Sequence, residues 1–230
     1  MTRGVFIAGT DTGVGKTRVA AALLRAWAQR GLRVAGMKPV AAGAVPRGIV
    51  WRSEDAETLV AAANVEAPWA WVNPYCFAPP IAPHIAAARA GVSIDLAVIR
   101  DAYCRLGERA ERIVVEGAGG LLVPLGGHAD MATIAQELGL PVILVVGMRL
   151  GCLNHALLTT QAIAARGLAL AGWVANSIDP GMEERPANLA WLQRYIPAPC
   201  LGCLPYAVAD TGQDLAADLD WPALETFFQA

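Results

Sequence analysis

One glycine-rich run carries the residues most able to bind a phosphorylated ligand. Residues 9–17 read Gly-Thr-Asp-Thr-Gly-Val-Gly-Lys-Thr and follow a short apolar segment. Glycines let backbone N–H groups turn toward phosphate oxygens, and the N-terminus of a following helix adds partial positive charge. In such a loop Lys16 reaches the outer phosphates and the Thr17 hydroxyl binds Mg²⁺. The run is predicted to be a P-loop, in a variant form because Thr10 stands where the strict pattern has its first glycine.

Lysine usage points to a second functional cation. Only Lys16 and Lys38 of the 18 basic residues are lysines, so arginine supplies every other positive charge of this kind. Lys38 ends the second predicted strand, at the sheet edge where α/β proteins bind ligands. A compact, mobile ammonium suits a transferring phosphoryl group. We predict that Lys38 acts beside Lys16; a solvated lysine at a strand end is the alternative.

Two carboxylates are candidate magnesium ligands. Glu116 follows the apolar run 113–115 and precedes the glycine-rich segment 117–120, which we predict to be a flexible turn. Asp55 lies at the start of a predicted helix. Mg²⁺ takes oxygen ligands, commonly one or two carboxylates together with phosphate oxygens and water. A solvated carboxylate is the alternative for both positions.

The elements that must position these residues alternate along the chain. Valine- and isoleucine-rich segments read as buried strands at 4–8, 33–40, 112–115, 141–147, 170–175 and 200–204. Amphipathic segments of helical length lie at 16–30, 54–63, 94–110, 131–138, 153–166 and 183–195. This alternation predicts an α/β fold in one domain, residues 1–230, with a mostly parallel sheet covered by helices on both faces.

Capping residues support several of these boundaries. Ser53 and Ser93 are predicted N-caps, because serine side chains accept hydrogen bonds from the first turn of a helix. Helices are predicted to end before three glycines suited to left-handed backbone, Gly31, Gly139 and Gly167.

The segment 67–83 has no clear period. It carries five prolines, and we predict an ordered but irregular excursion near the site. His84 follows it directly. A packed or capping histidine is favoured there over a catalytic base.

Composition and charge exclude several classes of protein. The formal net charge of −2 provides no basic field for nucleic acid, so we expect a small ligand. The chain is 55% hydrophobic, yet its longest apolar run, 141–148, is far shorter than the roughly 20 residues that span a bilayer. No secretory signal is evident, so we expect a cytoplasmic location without membrane partners.

Five cysteines are scattered along the chain, and reduced thiols are expected for them. Cys200 and Cys203 have the spacing of a redox pair or half a zinc site. There is no second pair, and prolines lie on both sides. We therefore interpret them as small buried apolar residues.

A series of longer blocks resembles the dethiobiotin synthetase family. In chain order these blocks are GTDTGVGKT, MKPVAAG, SEDA, NPYCFAPPIAPH, VEGAGGLLVPL, LPVILVVGMRLGCLNHALLT, GWVAN and LPY, spanning about residues 4–206. Such a series is more selective than a P-loop alone. The resemblance implies a P-loop NTPase-like fold and a biosynthetic ligase.

The resemblance also implies a reaction. Family members phosphorylate, with ATP and Mg²⁺, a carbamate formed from CO₂ and 7,8-diaminononanoate. The second amine then attacks the mixed anhydride, closing the cyclic urea of dethiobiotin and releasing phosphate. Lys16 and Lys38 would stabilise the developing charge, which is the main work of phosphoryl transfer.

Site residues follow from the same resemblance. Magnesium would be held by Thr17, Asp55 and Glu116. The nucleotide would be held by Thr12, Gly13, Val14, Gly15, Lys16, Thr17, Arg18, Gly117, Ala118, Gly119 and Asn176, with the backbone of Pro205, Tyr206 and Ala207 near the adenine. The substrate would contact Thr12, Lys38, Gly151, Cys152 and Asn154.

In the family, the contact at Gly151, Cys152 and Asn154 comes from a second subunit, so a homodimer with shared sites is expected. Amides at this predicted helix start could bind the substrate carboxylate. A simple helix cap is the alternative for Asn154. The chain departs from the family at Ala42, where a hydroxyl residue is usual; a lost hydrogen bond there costs on the order of 1 kcal/mol.

Three other interpretations remain. Partitioning and septum-positioning ATPases share the expected fold, but their P-loop carries a lysine where this chain has Asp11. Amidating ligases of cobalamin synthesis normally need a glutaminase domain, for which we expect no room. A non-enzymatic nucleotide-binding module would leave Lys38 unexplained.

Overall fold

A six-stranded parallel sheet forms the centre of the protein. The computed structural model describes residues 4–206 and residue 225. The strands follow the order β12-β11-β10-β1-β7-β2, and every neighbouring pair is parallel. Their bounds are β1 Gly4–Gly9, β2 Val34–Met37, β7 Arg112–Gly120, β10 Val142–Met148, β11 Leu170–Ser177 and β12 Cys200–Leu204. The predicted α/β fold is confirmed.

Helices cover both faces of this sheet. Their bounds are α1 Lys16–Gln29, α2 Glu54–Ala62, α3 Trp69–Val72, α4 Pro83–Arg89, α5 Leu96–Arg109, α6 Met131–Glu137, α7 Cys152–Ala165 and α8 Arg185–Tyr195. Two apolar clusters result, one on each face. Because β1 and β10 are buried from end to end, they read as continuous apolar runs rather than as alternating patterns.

Within the part of the chain that the structure describes, six short strands lie outside the main sheet. They are β3 Val40–Ala42, β4 Val45–Arg47, β5 Val50–Arg52, β6 Tyr75–Phe77, β8 Pro124–Gly126 and β9 Ala129–Asp130. Strands β3 and β6 form a parallel pair, whereas β4–β5 and β8–β9 are antiparallel. The segment 67–83, predicted to be irregular, therefore contains α3 and β6.

The predicted strand 33–40 is not continuous, because it is interrupted at residues 38 and 39. The backbone N–H of Lys38 donates to the carbonyl of Val72, 2.7 Å away, instead of to the sheet. Pro39 has no N–H to donate. The chain leaves the sheet at Lys38 and resumes as β3.

Two further boundary predictions are wrong. Asp95, not Ser93, caps α5, accepting a hydrogen bond from the N–H of Ala97 at 2.8 Å. The glycine-rich segment 117–120 is not a turn, because β7 continues through it to Gly120 with a shift of register against β1. Ser53 caps α2 as predicted, and Gly31, Gly139 and Gly167 have the expected positive φ.

Candidate functional site

The loop between β1 and α1 is shaped for an anion. Its last residue before the helix, Gly15, has φ 90°, in the left-handed region. A Cβ atom on Gly15 would lie 2.1 Å from Nδ2 of Asn176, so only glycine fits at this position. No acidic residue occupies the first turn of α1, which leaves the positive end of the helix available to a ligand.

Lys16 is held inside this loop. Its Nζ donates to the backbone carbonyl of Asp11 at 3.0 Å, and its side chain is buried. Burial, with repulsion from Lys38, lowers the pKa of Lys16 to about 8. A bound phosphate would therefore stabilise the protonated form of Lys16.

Lys38 lies between two carboxylates. Its Nζ is 2.7 Å from Oε1 of Glu116, 2.8 Å from Oδ2 of Asp55 and 3.1 Å from the carbonyl oxygen of Gly117. Thr17 completes the cluster, with Oγ1 lying 2.8 Å from Oε1 of Glu116 and 3.0 Å from Oδ1 of Asp55. A single hydroxyl and a single ammonium thus bring both acids together.

The electrostatics of this cluster are set by burial and by charge pairing. Burial disfavours the charged form of Lys38, but the carboxylates of Glu116 and Asp55 outweigh it and raise the pKa of Lys38 above the ordinary value. Burial likewise works against the charge of Asp55, whose pKa is nevertheless lowered by Lys38. Glu116 is the more deeply buried acid, and burial raises its pKa despite attraction from Lys38.

One cavity of about 680 Å³ joins the cluster to the P-loop. It is lined by ten residues predicted for the site, namely Thr12, Gly13, Gly15, Lys16, Thr17, Lys38, Asp55, Glu116, Ala118 and Gly119. Ala42, where the resemblance leads us to expect a hydroxyl residue, lines the cavity as well. The structure therefore brings the two lysines and the two acids to one space.

The rest of the cavity wall was not predicted. It is formed by Ala41, Pro80, Ile81, Ala82, Pro83 and Val123. The proline-rich stretch was expected only to lie near the site. Its composition signals an irregular, rigid backbone, but no sequence period indicates which of its side chains face the cavity.

A second group of predicted residues lies beyond this cavity. Nδ2 of Asn176 donates to the carbonyl of Val14 at 2.8 Å. Nη1 of Arg18 donates to Oδ1 of Asn176 at 2.9 Å and to the carbonyl of Pro205 at 2.7 Å. These bonds connect the P-loop to the end of β12. Tyr206 follows and is exposed, while the predicted Ala207 lies outside the described residues.

The predicted residues Gly151, Cys152 and Asn154 do not line the cavity. Gly151 is the N-cap of α7, with φ 92°, so the helix-cap alternative for Asn154 is wrong. An ion pair unforeseen from the sequence links this region to the P-loop, since Nη2 of Arg149 lies 2.6 Å from Oδ2 of Asp11.

Comparison with known proteins gives this geometry a family. A family model described as "AAA domain" matches residues 3–213. The ATP-dependent dethiobiotin synthetase BioD of Nitrosospira multiformis is 53% identical over 220 residues, covering 96% of both chains. That of Aromatoleum aromaticum is 54% identical, covering 96% of this chain and 98% of the relative. The chain belongs to the ATP-dependent dethiobiotin synthetase family.

A third family member supports the same assignment. The dethiobiotin synthetase BioD of a Janthinobacterium strain is 50% identical over 229 residues, covering 98% of this chain and 97% of the relative. The family resemblance predicted from the short blocks is confirmed. The relatives are named as ATP-dependent enzymes, which supports the use of ATP by this family member.

Solved structures with lower identity share the fold. The septum site-determining protein MinD from Pyrococcus horikoshii, solved with Mg-ADP, superposes with a TM-score of 0.55 at 18% identity, covering 100% of this chain and 94% of MinD. A ParA family ATPase from Chlorobium tepidum gives 0.55 at 14% identity, covering 100% and 95%. At such identities the likeness concerns architecture only. Among the described residues of this dethiobiotin synthetase family member, no helix is long and apolar enough to cross a membrane.

Proposed function

We propose that this protein converts 7,8-diaminononanoate, CO₂ and ATP into dethiobiotin, ADP and phosphate. One observation carries the proposal: Lys38, Asp55, Glu116 and Thr17 form a single hydrogen-bonded cluster in the cavity that the P-loop opens into. A loop that only binds nucleotide does not require a buried second ammonium. A phosphoryl transfer to an anionic acceptor does, because both reactants are negatively charged.

The proposed magnesium ligands are Thr17, Asp55 and Glu116. Oε2 of Glu116 is buried and has no hydrogen-bond partner among the described residues, which supports the binding of a cation by this oxygen atom. The hydroxyl of Thr17 lies between the two acids, so three oxygen atoms converge where a hard cation fits. Bound Mg²⁺ would neutralise phosphate charge and orient the outer phosphates.

The proposed binding roles follow the two ends of the site. Residues Thr12 to Arg18 hold the triphosphate, with the ammonium of Lys16 on its outer oxygens. Lys38 draws the carbamate and the transferred phosphoryl group together. Asn176 has a second amide hydrogen beyond the one given to Val14, and that hydrogen suits an adenine acceptor. Backbone of Pro205, Tyr206 and Ala207 would lie along the base.

We further propose a homodimer in which the partner completes the substrate site. Gly151, Cys152 and Asn154 lie at the start of α7 and away from the cavity of their own chain. Backbone amides at that helix start carry partial positive charge suited to a substrate carboxylate. Leu150 beside them is 94% exposed, which is consistent with a covered position in a dimer. We also propose that the protein is located in the cytoplasm.

The decisive experiment supplies purified protein with ATP, Mg²⁺, bicarbonate and diaminononanoate and detects dethiobiotin by mass spectrometry. We expect a product that requires all four components and is formed in step with ADP. A matched reaction without the diamine should release little ADP. If the rate of ADP release does not depend on the diamine but rises when DNA or vesicles are added, the protein is an ATPase switch and the proposal is wrong.

A further inference from the structure

Cys200 and Cys203 point toward the same face of the sheet, although residues three apart in a regular strand point to opposite faces. The cause is an irregularity in β12: Trp173 pairs with Cys200, Val174 with Gly202 and Ala175 with Cys203. Three residue steps of β12 thus match two steps of β11, as in a β-bulge.

Packing supports this placement independently. Both cysteines pack against the apolar cluster that contains Trp173 and Ala175, whereas Leu201 belongs to the cluster on the opposite face. Two strand steps span roughly 6.6 Å, so the bulge brings the two Cα atoms to about the upper limit of disulfide geometry, roughly 6.8 Å. Neither thiol is in a disulfide, and both side chains are partly exposed.

The two thiols also interact chemically. Interaction with the Cys203 side chain lowers the pKa of Cys200 to about 7 against the opposing effect of burial. The same interaction raises the pKa of Cys203, while the charge of Arg185 acts in the other direction. In the reduced form the Cys200 thiol donates a hydrogen bond to the carbonyl oxygen of Gly202, 3.6 Å away. Because the thiolate is the form that attacks a disulfide, the direction of this shift favours Cys200 as the attacking sulfur and Cys203 as the second one.

We propose that Cys200 and Cys203 form a redox-active dithiol site that exchanges with small-molecule disulfides and thereby controls ATP binding. In the first step the Cys200 thiolate attacks one sulfur of a disulfide such as oxidised glutathione, and one glutathione thiolate leaves. Cys203 then loses its proton and attacks Sγ of Cys200, expelling the second glutathione. The protein dithiol loses two electrons and two protons, and the small disulfide is reduced to two thiols.

The link to ATP runs through the end of the same strand. Pro205 follows β12 directly, and its carbonyl accepts a hydrogen bond from Nη1 of Arg18, which donates a second one to Oδ1 of Asn176. β12 is the edge strand of the sheet, hydrogen-bonded among the described residues only to β11. Closing the disulfide draws Cys200 and Cys203 together and displaces the backbone that follows. This consequence rests on the nucleotide site proposed above, whereas the thiol chemistry does not.

The test separates the chemistry from its consequence. The full-length protein is equilibrated with mixtures of reduced and oxidised glutathione, alkylated and digested, and the peptide containing residues 200 and 203 is analysed by mass spectrometry. We expect an intramolecular disulfide, seen as the loss of two hydrogen atoms, that dithiothreitol reverses. ATP affinity, measured by calorimetry on the same samples, should weaken at least threefold on oxidation.

Single variants provide the controls. Cys200→Ser should keep its ATP affinity in oxidised glutathione, and Cys104→Ser, which removes an exposed cysteine elsewhere, should respond like the unmodified chain. If glutathione remains attached to Cys200 without closing onto Cys203, or if the pair holds Zn²⁺ and never oxidises, the proposal is overturned. If the disulfide forms and ATP affinity does not change, the proposal that the disulfide controls ATP binding is overturned. The proposed function is tested separately, by the assay of dethiobiotin formation.

Discussion

Lys38 and Glu116 form a buried ion pair, with Nζ 2.7 Å from Oε1 and side chains only 3% and 1% exposed. Removing two charges from water is expensive, and the mutual attraction offsets that cost only while both partners remain. Asp55 is 47% exposed and adds a second, weaker partner. In the proposed mechanism the pair is kept for its chemistry, and changing either member should affect stability as well as activity.

Lys38→Ala should lower the free energy of unfolding by about 3 kcal/mol, because the buried Glu116 carboxylate loses its main cation. Lys38→Ala combined with Glu116→Gln should recover most of that loss, since a neutral amide costs less to bury. Urea unfolding of the four forms in the cycle measures both changes. Equal stability of Lys38→Ala and of the double variant would show that Glu116 is not ionised in the folded protein.

Lys38→Gln should reduce turnover by about a thousandfold while ATP affinity stays within roughly tenfold, because in the proposed mechanism the ammonium acts on the transferred group more than on bound nucleotide. Steady-state dethiobiotin formation and calorimetry with a non-hydrolysable ATP analogue measure the two effects. Arg89→Gln removes an exposed cation of α4 and serves as the control, with turnover unchanged. Turnover close to that of the control would remove Lys38 from the mechanism.

ATP affinity should fall as pH rises through the pKa of Lys16, about 8 in the free protein. Phosphate favours the protonated ammonium, so binding above that pKa requires uptake of a proton, and affinity weakens by up to about tenfold per pH unit. Calorimetry in buffers of different ionisation enthalpy at pH 7 to 9, a range of about two units around this pKa, detects the uptake.

Lys16→Arg supplies the control for this pH dependence. A guanidinium stays charged throughout that range, so its affinity, although weaker overall, should show no proton uptake. Uptake that persists in Lys16→Arg would assign the titration to another group.

The sequence predicted the parts of this site that depend on local pattern. A glycine-rich run after an apolar segment identified Lys16 and Thr17, and the scarcity of lysine identified Lys38. Continuous apolar runs identified the sheet. The glycine-rich and apolar runs lie within a few neighbouring residues, and the scarcity of lysine is read from the composition of the chain, so none of these signals depends on tertiary contacts.

What the sequence could not predict depends on tertiary contacts. Strand 33–40 breaks at Lys38 because a distant carbonyl, that of Val72, takes its N–H. Cys200 and Cys203 were interpreted from the sequence as small buried apolar residues. The bulge that brings them to one face is defined by the register of β12 against β11, which no sequence period indicates. The pairing of Asp11 with Arg149 joins residues 138 positions apart in sequence.

That pairing leads to a last prediction, on how the P-loop and the start of α7 are connected. Oδ1 of Asp11 accepts the N–H of Thr12 at 2.7 Å while Oδ2 binds Arg149. Asp11→Asn keeps an acceptor for Thr12 but removes the charge, so it isolates the ion pair. Because both side chains are 44% exposed, their coupling should be only about 0.2–1 kcal/mol.

A double-mutant cycle with Asp11→Asn and Arg149→Met measures that coupling on the KM for the diamine. We expect each single change to raise KM up to about fivefold. The KM of the double variant should be little higher than that of either single variant, because the two changes break the same bond. Stability measured in parallel should change by less than about 1 kcal/mol. Fully additive effects on KM would mean that Asp11 and Arg149 act independently, and that the P-loop is not connected through them to α7.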